Sequence, residues 1–347
     1  MLLHSLSLLW AGLKGQYGSI GTYGAVQRIF ATLGLLAGPG SLLTDAPFGR
    51  FIGGKGWIGP TVDGRLGWML MEICSPLTFL YCLTVPPSTS PFAFPAPSIE
   101  GIISAFRSLP LARAILASLF LIHYANRSIV SELRNPGRGR MHIIIPVLSA
   151  LFNVMNGGTM GMYISGGTAG KAVYDHGLKQ DSSSSFLFVV GLAIMAAGFA
   201  SNVYHDGILF RLKGEKRRER EEKEEAGDKA KSPSDRYAIP QGGLYRYISH
   251  PSYISEWIEW SGFTLATLVL APSPFPPSAF SSPSVMRLPA VLRPFIAWHL
   301  QPPALFVLWE IAAMLPRARS GHVWYRKTFG KEWEEKGAKW VVLPGLS

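Results

Sequence analysis

The chain has 347 residues, of which 48% are hydrophobic and only 16% charged, and its mean hydropathy is +0.21. Soluble domains carry about 25% charged residues, so this composition excludes an ordinary soluble globule and points to a polytopic membrane protein. The net charge of +11 sits in loops between apolar runs, which fits positive-inside topology and attraction to anionic lipid or phosphate better than nucleic-acid binding.

Residues 1–19 form an N-terminal segment with a short apolar run. It has neither a basic start nor a clear cleavage site, so it is not read as a cleaved signal peptide. The rest, residues 20–347, reads as one all-α membrane domain, a polytopic bundle of seven transmembrane helices. The predicted spans are Ile20–Leu43, Leu66–Leu83, Leu109–Leu133, Ile143–Ile164, Phe186–Leu212, Tyr253–Leu270 and Ile296–Leu315. The first is weakened by Arg28 and a Gly-Pro-Gly near its end. Cys74 and Cys82 share one apolar segment without metal-ligand spacing, so neither a disulfide nor a zinc site is expected.

The loops alternate between basic and Pro/Ser-rich. Arg50, Lys55 and Arg65 follow the first span, and Arg134, Arg138 and Arg140 follow the third. Lys171 and Lys179 follow the fourth, and Arg317, Arg319, Arg326 and Lys327 the seventh. Seven spans of this pattern put the N-terminus on the lumenal or external side and the C-terminus in the cytosol. Arg287 and Arg293 run against the scheme. Residues 213–236, which open with KGEKRREREEKEEAGDKAK, read as a charged cytosolic loop, solvated and partly disordered, or as a helix extension. Interleaved acids and the lack of aromatics argue against nucleic acid as its partner.

Several spans hold polar residues. Glu72 lies well inside the second, at a cost of roughly 2.5–3.5 kcal/mol on insertion scales, so a partner or a cavity is expected for it. Tyr124, Arg127, Ser131 and Arg134 follow i, i+3, i+7 and i+10 on the third span, one helical face. Asn202, Asp206 and Lys213 form another stripe, suited to ribose hydroxyls, an amide and a phosphate. The stretch from Ala238 to Phe263 begins as a loop, with Pro240 fixing one dihedral and Gly242 and Gly243 freeing the next. It continues as an aromatic helix on which Ser252, Glu256 and Glu259 share a face. Arg317, Arg319, His322, Tyr325 and Arg326 cluster after the last span as a phosphate and adenine clamp, or as a basic helix on the cytosolic leaflet. Snorkelling arginines and a solvated Asp–Lys pair are the plainer readings of the third- and fifth-span stripes. There is no Walker loop, no GxGxxG opening a βαβ unit, and no zinc spacing around His205 or His322. A nucleotide, if bound, would have to be held by a membrane bundle.

Taken together, YAIPQGGLYRYIS, the EWIEWSGF helix, HVWYRKTF, GRLGWMLMEICSP, HYANRSIVSELRNPGRGR and SNVYHDGILFRLK resemble the steroid 5α-reductase family, the membrane 3-oxo-5α-steroid 4-dehydrogenases. The likeness is strongest over residues 237–347. It implies an endoplasmic reticulum enzyme that reduces a carbon–carbon double bond conjugated to a ketone, using NADPH and an apolar substrate drawn from the bilayer. Carried over by position, Glu72 and Tyr124 would be the catalytic pair. Arg127, Asn135, Arg138, Asn202, Asp206, Lys213, Tyr237, Ser252, Glu256, Arg317, His322 and Tyr325 would line the cofactor site. On this reading Tyr124, held by Glu72, donates a hydrogen bond to the ketone oxygen. The chain departs from the pattern at Met71, where mammalian members have Gln, at Ser252, which replaces Asn, and at Lys213, which replaces Arg. The charged run after Lys213 looks inserted. Readings left open are a very-long-chain trans-2-enoyl-CoA reductase, an isoprenylcysteine carboxyl methyltransferase, and a non-catalytic membrane scaffold or transporter.

Overall fold

The computed structural model describes residues 46–51, 59–84, 98–165, 182–227, 237–270 and 301–345, with isolated positions between residues 26 and 40. Residues 1–19, nearly all of the first predicted span, Lys55, Lys171, Lys179, Arg287, Arg293 and both Pro/Ser-rich loops lie outside the described residues.

Six of the predicted spans coincide with helices. They are α1 (Gly64–Thr84), α3 (Leu111–Arg134), α4 (Ile144–Ser165), α5 (Ser182–Glu225), α6 (Pro251–Leu270) and α7 (Pro302–Phe329). Two short helices had no counterpart in the sequence reading: α2 (Ile99–Ser108), capped by the Ser98 side chain, and α8 (Lys331–Lys336). Among the described residues α1, α3, α4 and α5 are long and apolar enough to cross a membrane; the count of seven is not confirmed. Both α6 and α7 have spanning length but are not in that group.

α5 corrects the reading of residues 213–236 as a loop. The helix runs unbroken for 44 residues to Glu225, so the extension alternative holds that far. At 1.5 Å per residue this is about 66 Å, twice a ~30 Å hydrocarbon core, and the charged end must emerge. Lys216–Glu219, Arg217–Glu221 and Arg220–Glu224 pair one turn apart along it, which supports a helix among residues of high helix propensity.

In lipid, apolar side chains gain little by leaving one apolar surface for another, so close backbone approach has to hold helices together. The α1–α4 and α5–α6 pairs do this through glycine. A Cβ on Gly157 would lie 2.0 Å from the Ser75 carbonyl oxygen of α1, and one on Gly198 would lie 2.3 Å from the Glu259 nitrogen of α6. A shared core of Phe79, Phe120, Tyr124, Met160, Trp260, Phe263 and Phe306 joins the two pairs. The ring centroids of Phe79 and Phe120 are 4.3 Å apart, and those of Trp260 and Phe306 4.6 Å.

Outside the bundle, two short strands, β1 (Thr61–Val62) and β2 (Met141–His142), pair antiparallel with Thr61 opposite His142. They tie the start of α1 to the segment between α3 and α4. The tail returns to the loop before α6: Ser249 N donates to Trp340 O at 2.9 Å, and Trp340 N to Tyr247 O at 3.0 Å. Gly242 and Gly243 take φ of +93° and +52°, positive values that glycine adopts without a Cβ penalty.

Candidate active site

A cavity of about 1780 Å³ opens among α1, α3, α4, α5, α6 and α7. Its polar centre is built on α3. Around Arg127 the helix widens into a π segment, Asn126–Val130, a local irregularity often found at functional sites. Arg127 presents its guanidinium between two carboxylates, with Nε 3.4 Å from Glu72 on α1 and Nη1 3.5 Å from Glu256 on α6. The Trp68 ring lies beneath both Arg127 and Arg138, at 4.9 and 3.8 Å. The predicted face of α3 holds through Tyr124, Arg127 and Ser131, which all line the cavity. Arg134 leaves it and is exposed.

Tyr124 is buried against Phe120 and Trp260 and reaches the same cavity. Its hydroxyl receives a 2.8 Å hydrogen bond from Asn156 Nδ2 on α4. This corrects the expectation that Glu72 holds Tyr124: among the described residues Glu72 pairs with Arg127 instead. Neighbouring His123 also lines the cavity, its Nδ1 2.6 Å from Glu259 Oε1, and both side chains are buried. Asn156, Trp68 and Glu310 were not singled out for the site by sequence. The signal for Asn156 was the pair of amides in the apolar run LFNVMNGG, and for Glu310 a lone carboxylate in LWEIAAML.

Toward the end of the cavity formed by the C-terminus of α3 and the extension of α5, the lining turns basic. Arg138, Lys213, Lys216, Arg220 and Arg317 gather there. Arg138 is held by Glu132, and Arg317 lies 3.4 Å over the Phe48 ring while donating to the carbonyls of Ala46 and Phe48. The side-chain amide nitrogen of Asn135 is buried without a hydrogen-bond partner among the described residues. At the start of α6, Ser252 Oγ donates 2.7 Å to Asp206 Oδ1, and Asn202 Nδ2 donates 3.0 Å to the Ser252 carbonyl.

The structure therefore brings Glu72, Tyr124, Arg127, Asn135, Arg138, Asp206, Lys213, Tyr237, Ser252, Glu256, Arg317 and Tyr325 to one cavity. Two predicted cofactor residues do not line it. Asn202 sits behind Ser252, and buried His322 turns to Ser249 Oγ, 3.0 Å from its Nδ1, with its ring edge-on to Trp333. Burial and the nearby Arg326 hold the His322 imidazole below its ordinary pKa. Tyr245, in the loop before α6, has its phenol pushed well above the usual value by burial and the Asp206 charge. No group of three or more His, Cys, Asp or Glu among the described residues is arranged to hold a metal ion.

A family model described as 3-oxo-5-alpha-steroid 4-dehydrogenase matches residues 139–280. An uncharacterized protein of Schizosaccharomyces pombe is 35% identical over 301 residues, covering 84% of this chain and 89% of that protein. The 3-oxo-5-alpha-steroid 4-dehydrogenase 1 of Mus musculus is 27% identical, covering 86% and 87%. The steroid 5-alpha-reductase DET2 of Solanum lycopersicum is 26% identical, covering 83% of each chain.

Proposed function

The chain belongs to the 3-oxo-5α-steroid 4-dehydrogenase, or steroid 5α-reductase, family, an oxidoreductase family acting on a steroid carbon–carbon double bond, and from that membership we propose that it reduces a 3-oxo-4-ene steroid, or a similarly flat apolar enone, with NADPH. The observation that carries this reading is the Tyr124 hydroxyl, fixed by Asn156, in one cavity with the Glu72–Arg127–Glu256 array.

The residues present fit a phosphorylated dinucleotide. Among the described residues the buried Asn135 Nδ2 lacks a partner, as a donor reserved for a ligand would. Asp206 and Ser252 suit ribose hydroxyls, and Lys213, Arg138 and Arg317 suit phosphates, though Lys213 offers a point charge where Arg would give a fork. NADPH, when bound, supplies the hydride that reaches the β-carbon of the enone. As negative charge grows on the ketone oxygen, Tyr124 donates a hydrogen bond to it and stabilises the enolate, which then takes up a proton at the α-carbon to give the saturated ketone. Asn156 orients that phenol. Glu72 lines the same cavity, its carboxylate held by Arg127. Phe306 on the cavity wall, with Phe120 and Trp260 packed behind Tyr124, excludes water from the reacting atoms.

Topology supports the same division. An apolar substrate reaches the cavity from the bilayer, and a polyanionic cofactor from the side where basic residues gather. That side is the cytosolic face of the endoplasmic reticulum membrane, with the C-terminus on it. The test is NADPH oxidation by the purified protein with 3-oxo-4-ene steroids and, in parallel, trans-2-enoyl thioesters. Steroid-dependent oxidation with a saturated ketone product supports the reading. Oxidation with the thioester alone, or methyl transfer from S-adenosylmethionine instead, would replace it.

A further inference from the structure

The cavity holds a carboxylate, Glu310, that the reduction of the enone does not use. Phe306, Glu310, Ala313 and Arg317 recur at i, i+4, i+7 and i+11 on α7, and all line the cavity. Glu310 therefore faces the same space as Tyr124, between an aromatic wall and the basic mouth. Its charged neighbours are Glu256, Arg127, Glu72 and Glu259. Arg127 is the one cation in that set, and it already engages Glu72 at 3.4 Å and Glu256 at 3.5 Å. Among the described residues, no hydrogen bond or ion pair reaches Glu310. Around it on the cavity wall are Phe152, Phe306, Trp309 and Met314, none of which offers a side-chain donor except Trp309, whose indole N–H is spent on the Phe30 carbonyl at 2.7 Å.

A carboxylate so placed is satisfied by water while the cavity is wet. A flat apolar substrate expels that water. Glu310 then loses its hydrogen bonds unless the substrate brings a donor, and a buried polar group left unpaired is costly. As an ionised acceptor Glu310 cannot pair with a ketone, which also only accepts, so its donor is a separate group on the substrate. We propose that Glu310 is a specificity-determining residue that accepts a hydrogen bond from a hydroxyl carried by the substrate in addition to its enone. This rests on the enone-reductase reading of the cavity and names the substrate class within it: hydroxylated in preference to fully deoxygenated or all-ketone skeletons. Sites built to pair a substrate hydroxyl discriminate far more strongly against the analogue lacking it than apolar pockets discriminate between near-isosteres.

The experiment compares testosterone with androstenedione, and 21-hydroxyprogesterone with progesterone, on the full-length protein and on Glu310→Leu and Glu310→Gln. The wild type should favour the hydroxylated member of at least one pair by roughly 10-fold or more in kcat/KM. Glu310→Leu should level or invert that ratio through gain on the analogue without the hydroxyl, leaving KM for NADPH unchanged. Glu310→Gln, which keeps an acceptor, should preserve part of it. Equal use of both members by the wild type, or a ratio unchanged in a folded Glu310→Leu, overturns the proposal. So does a raised KM for NADPH with the ratio intact, which would assign Glu310 to the cofactor carboxamide. Thermal stabilisation by the same four steroids without NADPH reads the contact independently of turnover. A hydroxyl-selective shift lost in Glu310→Leu supports the contact even if no enone is reduced, and an unselective shift rejects it.

Discussion

The side-chain amide of Asn156 donates a 2.8 Å hydrogen bond to the hydroxyl of Tyr124 and lies 3.4 Å from Ser75 Oγ. The phenol oxygen thus uses a lone pair to accept, and its own proton stays available for a ketone. Tyr124→Phe removes the donor and should lower kcat by about 10²–10³. Glu72→Gln should also lose turnover while the protein still folds. Asn156→Ala removes only the orienting contact, about 1 kcal/mol or several-fold in rate. Asn156→Asp should fall further than Asn156→Ala, because a carboxylate there captures the Tyr124 proton. Steady-state kinetics beside circular dichroism of each variant decides this. Wild-type turnover in both Tyr124→Phe and Glu72→Gln would remove these two residues from the chemistry.

Arg127 links α1, α3 and α6 by charge. Its partners Glu72 and Glu256 are both buried, and it is the cation that offsets them. Removing one member of a buried pair leaves the other charge uncompensated, at about 3–5 kcal/mol. Arg127→Leu should therefore lower the detergent-solubilised unfolding midpoint markedly. Arg127→Leu combined with Glu256→Gln and Glu72→Gln should recover much of the loss, since no buried charge remains unmatched. A triple variant no more stable than the single one would indicate that the guanidinium acts by packing on Trp68 instead.

Much of this architecture was readable from residue order. Apolar runs of bilayer length gave the bounds of α1, α4 and α6 to within a few residues, because a membrane helix must satisfy its own backbone. The polar stripes on α3, α5 and α6 do converge, as burial of Glu72, Asn202 and Glu256 in apolar helices demanded. Other features depend on which helices become neighbours, and periodicity is silent there. Asn156 meets Tyr124 only because α3 and α4 become neighbours. The π segment at Asn126–Val130 ends the face that uniform α spacing extended to Arg134. His322 shared a stretch with cofactor-side residues, yet the returning tail draws it toward Ser249. The charged end of α5 looked loop-like by composition, while its one-turn ion pairs favour helix.

Glycine packing allows a paired test at two adjacent residues. A Cβ at Gly157 would stand 2.0 Å from a backbone oxygen of α1, which has no rotamer to yield, whereas at Gly158 it meets Thr78 Cγ2 at an ordinary 3.4 Å. Gly157→Ala should force α1 and α4 apart and cost about 1–3 kcal/mol. It should also reduce turnover, since Asn156 moves with the helix. Gly158→Ala should be near neutral or slightly stabilising through its gain in helix propensity. Equal melting temperatures for the two variants would mean that the α1–α4 contact is looser than the glycine geometry requires.

His322 carries a pH dependence whose sign is set by its surroundings. It is buried beside Trp333, hydrogen-bonded to Ser249 Oγ at 3.0 Å, and near Arg326, so the folded state disfavours the imidazolium. Its folded pKa lies below the unfolded value of about 6.5. As pH falls through 6.5 the unfolded chain binds this proton first. The contribution is therefore complete above that value and declines as pH drops toward the folded pKa. The melting temperature of the wild type should fall between about pH 7.5 and pH 5.5 by more than that of His322→Gln, which keeps a polar group but cannot titrate. The tail should loosen first, because His322 secures Ser249, which bonds both Val341 and Trp340. Proteolysis near the C-terminus should thus accelerate at the acidic end of that range in the wild type and be pH-independent in the variant. Identical pH profiles for the two proteins would place the acid sensitivity elsewhere.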